Sequence, residues 1–232
     1  MFRISDAHHF RRMVCGMCMI AAPLLLLGAA IVTPYMSDTS ESVVLSEIAG
    51  STDMFYISMV LLIAGLVLLV PAILGLMHLL RERHPTTGHV GGGLALFGTM
   101  MFMLSAGGGL MLWQMVRGGA DRAEMVALFD RFMSTTGSAV FPYLGLAFCA
   151  GMIVLAAGLY LARFVHWSTA ALLVIAPVVL GVAMFTNITA LFIVACAVLL
   201  VGLSTIGLRV LSETDEAWEH TPEWQGFRPL TH

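Results

Sequence analysis

Histidine, cysteine and methionine are the residues here whose types could do chemistry, since each can ligate a metal or haem. His78, His84, His89 and His166 fall near the ends of apolar segments that read as one side of a membrane, and Cys15 and Cys18 fall on that side too. Cys15-X-X-Cys18 sets both sulfurs on roughly one helical face, but a structural zinc site needs four ligands and only one such pair exists. Interfacial histidines also arise as residues that snorkel toward water. Met100, Met101, Met103, Met111 and Met115 would suit Cu(I), yet Met equally fills irregular gaps in packing. No phosphate loop, HExxH sequence or nucleophile–base–orienter set is present. The expectation is therefore no catalytic, cofactor-binding or metal residue and no enzyme, with a haem- or metal-containing redox subunit kept as an alternative.

Carboxylates are the next candidates, and their positions argue against ion chemistry. All 14 acidic residues lie in tails, loops or interfaces, and so do the arginines. Proton relays and ion pathways place ionisable groups inside the bilayer despite their cost, so a carboxylate-driven pump is disfavoured. Ser58, Thr99, Ser105 and Gln114 form a candidate neutral polar pathway. The competing reading has each of them bonded to a neighbouring helix, at about 0.6 kcal/mol apiece.

The elements that must position these residues are transmembrane helices. Hydrophobic residues make up 59% of the 232 and charged residues 11%, against about 45–50% and about 25% in a soluble domain. Mean hydropathy is +0.93. Apolar runs long enough for a hydrocarbon core of about 30 Å recur at 13–35, 54–80, 88–116, 138–162, 167–185 and 188–210. Pro71, Pro142 and Pro177 sit inside spans, where neighbouring groups can satisfy the freed carbonyls. A signal peptide is the runner-up for the first span, because Gly28-Ala29-Ala30 resembles a cleavage site. Its apolar stretch is longer than a usual signal core, so retention as an anchor is expected. The fold class is all-α, a polytopic membrane bundle of about six helices. It runs over 13–210, between an N-terminal segment (1–12) and an acidic tail (211–232).

Two loops carry extra structure. Asp121 and Glu124 have capping-box spacing, and Met125, Val126, Leu128, Phe129, Phe132 and Met133 repeat as one helical face. This predicts a short amphipathic helix on the outer leaflet or on the bundle, serving as a cover or as a lid over an outward cavity. In the loop 36–53, a helix around 43–48 stopped by Gly50 is expected. In the third span Gly91, Ala95 and Thr99 recur every fourth residue, as do Ser105 and Gly109, with Gly98 between. Small residues at that spacing let backbones approach closely, so this stripe is a candidate helix-packing or dimer face. A faint internal echo links Ala64-Gly65, Gly75 and Arg81 to Ala150-Gly151, Gly158 and Arg163; parallel repeats of this kind occur in transporters.

The arginines orient the chain. With the N-terminus inside, eight (Arg3, Arg11, Arg12, Arg81, Arg83, Arg163, Arg209, Arg228) are cytoplasmic and three (Arg117, Arg122, Arg131) external. Both termini are thus expected in the cytoplasm of a bacterial cell, the protein lying in its plasma membrane. Net charge is −3, which offers no basic surface for nucleic acid. The expected partners are the lipid bilayer, a second copy of the chain, and a membrane or cytoplasmic protein reached through the tail. There Glu213, Asp215, Glu216, Glu219 and Glu223 interleave with Trp218, Trp224 and Phe227. A disordered, solvated tail is the alternative.

The run 66–76 (LVLLVPAILGL), Leu79-Leu80-Arg81-Glu82-Arg83, 91–96 (GGGLAL), Trp113-Gln114-Met115 and 125–131 (MVALFDR) together resemble uncharacterised six-helix membrane proteins common in actinobacteria. The resemblance implies a helical bundle and a membrane location, and brings no substrate, cofactor or catalytic residue. Function is accordingly read as a structural or accessory membrane component acting through helix and tail contacts. The alternative is a carrier or binder of a neutral or lipidic molecule.

Overall fold

Inside a bilayer the backbone has no water to bond to, so long apolar runs close their hydrogen bonds internally as helices. The computed structural model describes residues 7–34, 41–117, 121–134, 140, 143–186, 188–215 and 218, and these are helical almost throughout. In chain order the helices are α1 (Ala7–Val32), α2 (Glu41–Gly50), α3 (Thr52–Leu80), α4 (Pro85–Arg117), α5 (Arg122–Ser134), α6 (Leu146–Leu161), α7 (Trp167–Thr186) and α8 (Thr189–Ser212).

Helix ends follow local chemistry. Pro34 disfavours helical backbone at Thr33, and α1 stops at Val32. Pro85 opens α4, where its missing N–H costs nothing. Asp121 caps α5, its Oδ1 accepting the Ala123 N–H at 2.9 Å. The helix expected over 43–48 runs from Glu41 to Gly50, while α1 begins a turn and a half earlier than the apolar run does. In the fourth span the helix proper starts at Leu146, later than the hydropathy suggests; Gly145 forms a turn before it, and residues 135–139 and 141–142 lie outside the described set.

Five helices (α1, α3, α4, α7, α8) are long and apolar enough to cross a membrane. The apolar α6, 16 residues and about 24 Å long, is shorter. These six pack in a closed ring: α1 against α3, α3 against α4, then α6, α7 and α8, which returns to α1. α3 and α6 also touch across the ring. The interior is filled by side chains such as Met19, Leu69, Leu76, Met152, Leu155 and Leu173, all fully buried. The outer faces are apolar as well. Leu208, Ile31 and Leu24 are exposed by 61%, 62% and 54%, which is tenable only where the surroundings are hydrocarbon. The protein is therefore embedded in a membrane.

α2 and α5 lie at one end. Ile48 of α2 joins Phe55 and Met59 of α3 in a second small core, backed by Trp113 and Val116 of α4. α5 packs on α2 and α4, and its Phe129 is buried while Leu128 stays exposed. The amphipathic segment thus rests on the bundle as well as facing outward.

Candidate functional site

The opposite end gathers the polar chemistry. Here the start of α1, the α3–α4 turn, the α6–α7 turn and the end of α8 meet, because arginines tie them together. Arg12 is 7% exposed. Its Nε donates to Asp215 Oδ1 at 2.8 Å, and its Nη1 donates to the carbonyls of Leu211 at 3.2 Å and Glu213. His9 completes the cluster, its Nδ1 lying 3.2 Å from Asp215 Oδ2. A guanidinium thus caps the last carbonyls of α8, where the helix dipole is negative. Arg83 does the same for α6, donating to Ala162 O at 3.0 Å. Arg209 donates to Phe164 O and lies 4.4 Å over the Phe164 ring. The start of α1 and the end of α8 therefore sit at one end of the bundle.

The acidic tail begins by folding back on this end. Asp215 pairs with Arg12, and the buried Trp218 stacks on His78 at 4.5 Å with an interplanar angle of 18°. Glu213 pairs with Arg209 at the end of α8. Burial raises its carboxyl above the usual range; Arg209, 3.3 Å away, and Arg12 pull in the other direction. One Glu213 oxygen, Oε2, is buried without a hydrogen-bond partner. The rest of the tail, including Glu219, Glu223, Trp224 and Phe227, lies outside the described residues. The alternation of acids and aromatics was the one sequence signal that could have pointed to this docking.

Beside the tail, a groove of about 440 Å³ opens between α1 and α3, with Trp218 forming one wall. Arg11, His78, Arg81 and His89 line it together with apolar side chains of both helices.

The sequence-derived candidates are distributed as follows. Ser58 and Thr99 are fully buried, and each hydroxyl donates to its own helix, to Phe55 O and Ala95 O at 2.8 Å. Ser105 donates to Met101 O at 3.1 Å, and Gln114 lies exposed on the outside of α4. The small-residue stripe faces two ways. A Cβ on Gly98 would collide with the Phe148 backbone of α6, lying 2.7 Å from its Cα, and one on Gly91 would come 3.0 Å from Leu155 N. Ala95 meets α6 at Gly151, whereas Gly109 faces Met59 of α3.

Among the described residues, no three His, Cys, Asp or Glu side chains converge as metal ligands. His89 bonds to Pro85 O at 2.6 Å and His166 to Ser168 Oγ at 2.9 Å. Cys15 borders the groove and Cys18 is buried in the core. No protein-family model, curated protein or solved structure matches the chain.

Proposed function

We propose that the chain is a structural or accessory component of a bacterial plasma membrane, acting through helix and tail contacts, with both termini in the cytoplasm. One observation carries this reading. The ring of six helices is filled by interlocked apolar side chains, and the fully buried Ser58 and Thr99 hydroxyls are spent on their own helices. A solute path needs polar groups free to exchange water for solute, and Ser58 and Thr99 already have their bonds. The arginine bias supports the orientation, and contacts through the remainder of the tail supply the partner side of the proposal.

The test is reconstitution of the full chain in phosphatidylcholine vesicles, with uptake of glycerol and urea measured by light scattering. The expected result is permeability equal to protein-free vesicles. A protein-dependent flux that Thr99→Val abolishes would replace the accessory role with that of a carrier.

A further inference from the structure

The outer surface of the ring carries exposed aromatic side chains at two heights. Tyr160 and Trp167 flank the α6–α7 turn, and Trp167 is 64% exposed. At the far ends of the same helices, Tyr143 stands just before α6 and Phe185 closes α7, their rings 6.1 Å apart. Phe185 is 66% exposed, and Tyr143 is exposed as well. Trp167 and Phe185 lie 18 residues apart on α7, so the two heights are about 27 Å apart. Between them Ile175, Val178 and Val182 face outward from α7. Tyrosine and tryptophan pair an apolar ring with a polar tip, which suits them to the boundary between hydrocarbon and headgroups. α3 and α4 are longer, at 29 and 33 residues. Their excess is covered at one end, where Phe55 and Met59 pack with Ile48 of α2 and Trp113 backs them. There Tyr56 lies 4.6 Å from Trp113, and the Arg117 guanidinium lies 4.9 Å from the same indole. From Val60, the residue after this core, to Leu80 the helix rises about 30 Å, and an ordinary tilt of about 20° lowers that to about 28 Å.

We propose that this surface fits a phospholipid bilayer at the thin end of the natural range, with a hydrocarbon layer of about 27 Å against an average of about 30 Å, as dioleoyl chains provide. Tyr160 and Trp167 stand at one headgroup boundary and Tyr143 at the other. The extra turns of α3 and α4 stand in the headgroup layer beneath α2, with Tyr56, Trp113 and Arg117 among the lipid heads. Longer acyl chains draw the polar tips of Trp167 and the tyrosines into hydrocarbon, where they lose water. Shorter chains leave Phe185 and Leu161, both exposed on the outside, facing water. Mismatch of a few ångströms is enough to sort proteins among membranes of different thickness. The inference is independent of the accessory role, because a scaffold and a carrier alike must match their bilayer.

Trp167 supplies the readout. The full chain is reconstituted in vesicles of brominated dioleoyl phosphatidylcholine, which quenches tryptophan exposed to lipid. Dimyristoleoyl, dioleoyl and dierucoyl phosphatidylcholine then compete for the protein surface, and the relief of quenching gives the relative association of each. Dioleoyl chains are expected to associate best, at least about threefold more strongly than the longer dierucoyl chains. Tyr143→Leu with Tyr160→Leu keeps Trp167 as the probe and should narrow that ratio to below about twofold. Val178→Leu, midway along the same surface, should leave it as in the wild type. Equal association of the three lipids with the wild type, which needs no variant to fold, overturns the proposal. So does an optimum at dierucoyl, which would give the full length of α3 and α4 control of the layer, or one at dimyristoleoyl. A ratio unchanged in the double tyrosine variant would take the boundary away from the aromatic side chains and overturn it as well.

Discussion

Arg12 ties the start of α1 to the end of α8. Its guanidinium serves one carboxylate and the final carbonyls of α8 from an almost fully buried position. Arg12→Met removes all of these at once and leaves buried carbonyls unpaired, which costs about 2–4 kcal/mol. The melting temperature in detergent should fall markedly, with Arg12→Lys intermediate because an ammonium lacks the fork geometry. An unchanged melt in Arg12→Met would show that tail docking contributes nothing. Glu213 makes the opposite prediction. Its carboxyl is raised in the folded protein, chiefly by burial and despite Arg209 and Arg12. A carboxyl whose folded pKa exceeds its unfolded value contributes stability below the carboxylate range, and that contribution is lost as pH rises through the folded pKa. Glu213→Gln removes the dependence. The melting temperature of the variant relative to the wild type should therefore climb as pH is raised across the carboxylate range. A difference that shrinks over the same interval would mean that Arg209 outweighs burial.

At the scale of elements, close approach between α4 and α6 dominates. Gly98→Leu places a branched side chain against the Phe148 backbone, which cannot move as a rotamer can. Overpacking costs about 1–3 kcal/mol where side chains can yield, and the loss here should reach or exceed that range. Gly107→Leu is the internal control. Nothing lies within 4 Å of a Cβ built there, so its melt should match the wild type. The spacing of the stripe was legible in the sequence; its partner was not, because a four-residue repeat names a face without naming what it meets. The echoed glycines show the same limit. Gly65 packs against Leu26 of the preceding span and Gly151 against Ala95 of its own preceding span. The α6–α7 turn offers a second test. Arg163 has φ 55°, and the Phe164 N–H reaches back to Leu159 O at 3.0 Å. This is a Schellman ending with Arg where Gly is usual. Arg163→Gly should stabilise by about 1 kcal/mol, read as a higher melting temperature; a lower one would mean that the arginine side chain outweighs its backbone strain.

For the whole molecule, the contact of Arg12 with Asp215 makes one topological demand, that the start of α1 and the end of α8 share a side. The arginine distribution adds which side. A reporter fused after Arg228 should read as cytoplasmic and one inserted at Thr39 as external. A reversed pair would overturn the orientation and leave the ring intact, whereas two reporters on the same side would contradict the ring itself. The arginines that carry the orientation argument also have structural work. Arg12, Arg83 and Arg209 each close carbonyls at a helix end, so removing them to alter topology should also lower stability.

By itself the sequence determined the class of the protein. Helical hydrogen bonds are local and hydrocarbon admits few alternatives, so length and hydropathy were enough to place helices, the amphipathic α5 and the absence of carboxylates from the spans. Helix boundaries were legible wherever a proline or a cap stood, at Pro34, Pro85 and Asp121. What only the tertiary structure decided depends on contacts between residues far apart in the chain. It placed Asp215 on Arg12 and Trp218 on His78, turning the start of an apparently solvated tail into part of the bundle. It brought Arg11 and Arg81, seventy residues apart, to one groove. It separated Gln114 from Ser58 and Thr99, which sequence grouped only as uncharged polar residues in apolar spans. Hydropathy reports how each helix meets lipid, and which helix it then meets is set by close packing between segments that no local pattern encodes.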